Sequence, residues 1–161
     1  MGELRGAVGI SSRVATGAVG NALVEAAFAR LAPRVPLALV DSVTWSAPGN
    51  HPRRTGPTAQ AEVVRAALDL LLEERRPALF LSGYLRTALQ VRAVADALGA
   101  CPDARYTYVL DPILGDQGKL YVDRDVADRC WQRKRRHDRR AERRAAGQEV
   151  VDEAAEVDRV E

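Results

Sequence analysis

Asp111 and Asp116 are the residues in this chain best placed to do chemistry. They lie in the stretch YTYVLDPILGDQGKLYV, residues 106 to 122, at the end of an apolar, β-rich run. The order Asp-Pro, Gly, Asp, Gly cannot continue a strand, so both carboxylates belong to a tight loop where a strand leaves its sheet. In open α/β sheets that exit faces the crevice where ligands bind. The same residues also fit a plain connection, with Asp111 before Pro112 starting a turn and Asp116 with Gly118 closing one. Taken alone, the pair favours the turn.

The elements that must hold these carboxylates alternate. AVGIS, residues 7–11, reads as a buried first strand stopping at Ser11 and Ser12, followed by a helix. Gly17 and Gly20 loosen the backbone, Asn21 suits an N-cap, and Ala22, Val24, Ala26, Phe28 and Leu31 supply the apolar positions of a helix ending before Pro33. PLALVDSV, residues 36–43, is a second strand, and the Pro- and Gly-rich SAPGNHPRRTGPT is a loop whose length suits a binding flap or a connection. A helix is expected from Thr58 to Arg76, with Val63, Ala67, Leu70 and Leu71 on its inner face. ALFLSG, residues 78–83, is a third strand, Thr87 to Leu98 a helix closed by Gly99, and Tyr106 to Leu110 a fourth strand. Strands alternating with helices imply right-handed crossovers and a mostly parallel sheet covered by helices.

Composition sets limits on function. A chain of 161 residues with 47% hydrophobic and 29% charged residues fits one soluble globular domain. No apolar run approaches the roughly 18 residues of a membrane span. MGELRGAVGISS has no basic segment followed by a long apolar core, and Gly6 stands where a myristoylation signal needs Ser or Thr, so a cytoplasmic protein is expected. Cys101 and Cys130 are too few for a disulfide framework, and His51 and His137 lack zinc-ligand spacing. From Arg129 to Arg144 nine Lys or Arg face only Asp138 and Glu142, and from Glu149 onward the sign reverses. This segment has almost no core-forming residues before Val150 and reads as a solvated helix or a disordered arm. The basic block suits polyanion contacts, but Trp131 is its only aromatic and the acidic tail can neutralise it, so a solvated charge run is favoured over nucleic-acid binding.

Four segments, ISSRVATGAVGN (10–21), VDSVTWS (40–46), LSGYL (81–85) and LDPILGDQGKLYV (110–122), resemble pyridoxal kinase of the ribokinase-like superfamily, in matching order and spacing. The resemblance covers most of residues 7 to 122 and implies an α/β three-layer sandwich with a mostly parallel central sheet, truncated here. Residues 1–122 would be the N-terminal part of the kinase domain, and 123–161 a charged tail. The implied reaction moves the γ-phosphoryl of ATP to the 5′-hydroxyl of a B6 vitamer, with Mg²⁺. Mapped by motif, Ser12 would hydrogen-bond the polar edge of the pyridine ring, Gly17, Gly20 and Asn21 would let the backbone approach it, and Tyr84 would pack against it. Asp111 and Asp116 would serve the ATP phosphates and their cation, with Tyr121 near the nucleotide. Residue types alone leave plainer roles open: a strand-exit turn for Ser12, a glycine turn, and a core tyrosine. A homodimer is the expected assembly.

The chain also departs from that family. The flap carries Ala47, Pro48 and Gly49 before Asn50, His51 and Pro52, so for His51 and Thr55 an ordinary loop stands at equal weight beside substrate contact. Nothing after Val122 resembles the family's catalytic aspartate or its Gly-rich anion hole. Little or no kinase activity is therefore expected from this chain alone, with a non-catalytic, oligomerising or polyanion-binding protein as the alternative. Loss of the remaining elements would bare a sheet edge and one face of the core.

Overall fold

A computed structural model describes residues 5–49, 51–100, 106–116 and 118–132. Four strands, β1 (Ala7–Val14), β2 (Leu37–Trp45), β3 (Leu79–Ser82) and β4 (Thr107–Leu110), form one sheet in the order β2-β1-β3-β4, every neighbouring pair parallel. A central parallel strand is covered on both faces, and the first half of β1, Ala7 to Ile10, is accordingly apolar and buried, while Ser11, Ser12 and Arg13 follow toward its C-terminal end. β1 and β2 continue past the expected ends at the serines and Val43, reaching Val14 and Trp45, because they stay paired along their whole length. The register shifts between Ser11 and Ser12, where Ser42 is the extra residue on β2.

Alternate strand residues point to opposite faces. On one face, α1 (Asn21–Leu31) lies over Gly9, where an added Cβ would come within 3.2 Å of Val24 and Asn21. On the other, Val8, Ile10 and Phe80 meet Val64, Leu68 and Leu72 of α2 (Ala61–Glu74) and Val94, Ala97 and Leu98 of α3 (Ala88–Gly99). Each such side chain contributes about 1.5–3 kcal/mol by leaving water. The α2 stripe is rotated from the expected one, leaving Val63 and Leu70 more than half exposed. Two adjacent apolar rows run along this helix, and the sheet takes the one carrying Leu68 and Leu72.

The segment after Val122 also differs from expectation. Residues 124–132 are helical, and Val122, Val126, Ala127 and Cys130 all join the core. Three apolar positions spaced i, i+1 and i+4 are enough to dock one short helix beside an existing core. Cys101, His137, the basic block beyond residue 132 and the acidic tail lie outside the described residues. β4 ends the sheet, with Val109 43% and Ile113 40% exposed beside it. Among the described residues, no helix is long and apolar enough to cross a membrane.

Candidate functional site

Because all four strands are parallel, their C-terminal ends lie along one edge, and a buried polar lattice ties those ends together. The Tyr84 amide donates to Ser11 Oγ at 3.0 Å, and the Tyr84 carbonyl accepts from Ser42 Oγ at 2.6 Å. The β3 exit is thus clamped to β1 and β2 at once. Gly83 permits the approach, since a Cβ there would stand 2.6 Å from Ser11 Oγ. The Ser42 hydroxyl is aimed at Tyr84 by the bulge, which takes Ser42 out of the ladder with β1.

Behind the clamp lies Gln90, fully buried on the first turn of α3. Its Nε2 donates to the carbonyls of Ser42 and Ala59, both at 2.8 Å, and its Oε1 accepts from the amides of Arg86 (2.8 Å) and Thr87 (3.4 Å). Thr87 caps the helix in return, its Oγ1 accepting from the Gln90 amide. One amide side chain therefore joins the β2 bulge, the end of the 46–60 loop and the start of α3.

That loop folds back antiparallel to β2. Val43 bridges Thr58, the Thr44 amide donates to Pro57, and the Ser46 amide donates to Thr55. The Arg54 guanidinium lies 4.1 Å above the Trp45 ring and donates to the Gly49 carbonyl at 2.7 Å. Trp45 meets Tyr84 edge-on at 5.4 Å between ring centroids. Tyr84 is only 4% exposed, and burial raises its pKa above the ordinary phenol value, the charges of Arg86 and Arg54 opposing. His51 is exposed, its Nδ1 accepting from the Arg53 amide, and Asn50 lies outside the described residues.

Gly20 packs its Cα against Ser12, where a Cβ would collide with the Ser12 carbonyl and hydroxyl. Its φ of 55° and ψ of −132° also favour glycine. Gly20, not Asn21, occupies the α1 N-cap, and no side chain caps that helix. Asn21 turns inward instead, its Nδ2 donating to the carbonyls of Ser11 and Val40 and to Asp41 Oδ1 at 2.7 Å. Asp41 in turn accepts from Arg13 Nε at 2.7 Å, which raises the Arg13 pKa. The inward turn is favoured because the strand carbonyls at the bulge offer this buried amide partners that a capping position would leave unused.

Asp111 is exposed at the β4 exit, its amide donating to Ser82 at 2.9 Å. Asp116 is exposed on a two-stranded antiparallel hairpin, β5 (Gly115–Asp116) and β6 (Lys119–Leu120). Tyr121 closes the hairpin, its amide donating to Leu114 at 2.8 Å. The Tyr121 hydroxyl's pKa is raised by desolvation, by the Asp116 charge and by its hydrogen bond to Asp116.

Solved structures share this arrangement of strands and helices. Pyridoxal kinase from Entamoeba histolytica superposes with a TM-score of 0.71 at 21% identity, over 81% of this chain and 48% of that one. PdxK of Plasmodium falciparum, solved with AMP-PNP and PL, gives 0.68 at 23% identity over 77% and 46%. Pyridoxal kinase of Leishmania donovani, in complex with ADP and pyridoxamine, gives 0.67 at 24% identity over 78% and 45%. The chain has a partial pyridoxal kinase-like fold. It spans less than half the length of these structures. No protein-family profile and no curated protein matches the sequence.

On this pyridoxal kinase-like frame, Ser12 lies within β1 just after its register shift, Tyr84 and Asp111 lie just beyond the C-terminal ends of β3 and β4, Asp116 lies on the hairpin after β4, and Tyr121 follows that hairpin. Ser11, Ser42, Gln90, Arg54 and Arg86 were not among the sequence candidates. The Thr87-x-x-Gln90 spacing is a capping-box signature that points to Gln90, whereas nothing in residue type singles out the bulge at Ser42. Among the described residues, no group of three or more His, Cys, Asp or Glu is placed to hold a metal. Asp111 at the β4 exit and Asp116 on the hairpin do not make a protein-only cage, and a cation such as Mg²⁺ there would need water or phosphate oxygens as its other ligands.

Proposed function

We propose that this chain is pyridoxal kinase-like and binds a B6 vitamer at the C-terminal edge of its sheet, where the complete fold would carry ATP-dependent phosphorylation of the vitamer's 5′-hydroxyl. The observation that carries this reading is the placing of Ser12, Tyr84 and Asp111 along that edge, with the β1, β2 and β3 ends locked together behind them. Ser12 is 8% exposed, and its hydroxyl can donate or accept at the polar edge of a pyridine ring. The Tyr84 ring, set edge-to-face against Trp45, would pack against the vitamer ring. Asp111 and Asp116 would hold Mg²⁺, which neutralises the transferred phosphate charge, and Tyr121 would order Asp116 through its hydroxyl.

Phosphoryl transfer also needs a base within reach of the substrate hydroxyl and amide donors for the developing charge. Among the described residues no group is assigned to either role, so vitamer binding rather than turnover is what is proposed of this chain. Incubation with pyridoxal and Mg-ATP, followed by equilibrium titration with pyridoxal, tests both parts. Saturable binding with little product is expected, and absence of binding overturns the reading. A second reading, a non-catalytic subunit that self-associates, is favoured by the exposed Val109 and Ile113 at β4, which ends the sheet among the described residues. Sedimentation showing a defined oligomer without vitamer binding would favour it.

A further inference from the structure

Four buried side-chain polar atoms among the described residues lack hydrogen-bond partners, Asn21 Oδ1, Ser82 Oγ, the Tyr84 hydroxyl and Arg86 Nη1, and the last two lie on the segment that follows β3. Tyr84 is more than nine-tenths buried, and closing off a hydroxyl or guanidinium without a partner is costly, so such atoms point to a missing ligand. Both can donate. Among the described residues, the Arg86 and Arg54 guanidiniums act electrostatically on the Tyr84 hydroxyl, and the Asp123 carboxylate opposes them. Asp123 Oδ1 is 3.8 Å from Arg86 Nη1, too long for a hydrogen bond, and its side chain is 76% exposed. Arg54 is held over Trp45, whose ring edge meets Tyr84, so the second cation is fixed in place.

We infer that Arg86, the Tyr84 hydroxyl and Arg54 form a subsite for a phosphate-type oxyanion, which Asp123 partly occupies electrostatically when no anion is present. Guanidiniums match phosphate oxygens with paired donors, and a phenol supplies a third. The anion reaches the site by displacing the Asp123 carboxylate from Arg86. This site uses the Tyr84 hydroxyl rather than its ring and does not depend on vitamer binding.

The test is calorimetric titration of the full chain with inorganic phosphate, with chloride at equal ionic strength as the control. Saturable binding at one site is expected. Tyr84→Phe and Arg86→Gln should each weaken it about tenfold, the loss of one charge-assisted hydrogen bond. Asp123→Asn, an exposed change that leaves the core intact, should tighten it several-fold by removing the competing charge. Pyridoxine 5′-phosphate, which has no aldehyde to react with lysines, and unphosphorylated pyridoxine distinguish the source of the anion. Competition by the ester assigns the site to a phosphorylated vitamer, and binding of phosphate without such competition assigns it to a free anion. Failure of pyridoxine to bind while phosphate binds would overturn the proposed function and leave this site standing. No saturation beyond the chloride control, or an Asp123→Asn affinity equal to or below the parent's, would overturn the site.

Discussion

Replacing Gln90 by leucine keeps the side-chain volume and deletes four polar contacts. The Ser42 carbonyl would still accept from the Ala59 amide at 3.0 Å, so the groups losing their Gln90 partner are the Ala59 carbonyl and the Arg86 and Thr87 amides. An orphaned buried group costs roughly 1–3 kcal/mol, and these are part-buried, so about 1 kcal/mol each gives a loss of about 3 kcal/mol. For a chain of this size that lowers the melting temperature by about 6–12 °C. Urea denaturation followed by circular dichroism should show a lower midpoint with an unchanged slope. Gln90→Glu supplies the sign test. Its carboxylate would face the Ser42 and Ala59 carbonyls, which raises the introduced group's folded pKa above its unfolded value of about 4.3. The neutral acid can donate to one carbonyl, so the variant's deficit should shrink as pH falls toward that value and be full well above the raised folded pKa. A Gln90→Leu loss below about 1 kcal/mol, or a Gln90→Glu deficit independent of pH, would refute the role assigned to this amide.

Gly20→Ala forces a Cβ into Ser12 and an unfavourable φ, and should cost about 3 kcal/mol in urea unfolding; a neutral result would mean α1 does not approach Ser12 this closely. Asp116→Asn removes the charge and the carboxylate acceptor that raise the Tyr121 pKa, so the Tyr121 phenol should ionise at lower pH. Phenolate absorbance, with Tyr121→Phe identifying the transition, reads the shift, and an unmoved midpoint counts against the contact. Val126→Ala, at a site 1% exposed, should cost about 2 kcal/mol, whereas a freely solvated segment after Val122 would show no loss.

The alternating strands and helices were legible because buried parallel strands are continuous apolar runs and the helices between them carry their own stop signals. What escaped had a common cause: it depended on which groups meet across elements. Asn21 has the residue type of an N-cap, yet the Ser11 and Val40 carbonyls, 10 and 19 positions away along the chain, take its amide inward. Gln90 looks like a polar interruption of an amphipathic helix until the loop before α2 is laid against it. Val126 and Cys130 sit within a charge-rich stretch whose average hides a short apolar stripe. At the site, Asp111 was marked by type and by its place at a strand exit, whereas Ser12, expected to close the first strand, lies inside it because β1 stays paired with β2 to Val14. The serine clamp on Tyr84 and the two arginines near its hydroxyl are products of tertiary approach and leave no local pattern.

Equilibrium titration of the purified chain with pyridoxal, comparing the parent with Ser12→Ala, tests the central claim most directly. Saturable binding by the parent, weakened about tenfold by loss of one hydroxyl hydrogen bond to the ligand, is the predicted result. No saturation by the parent, or equal affinity in a folded Ser12→Ala protein, would contradict a vitamer site at this edge of the sheet.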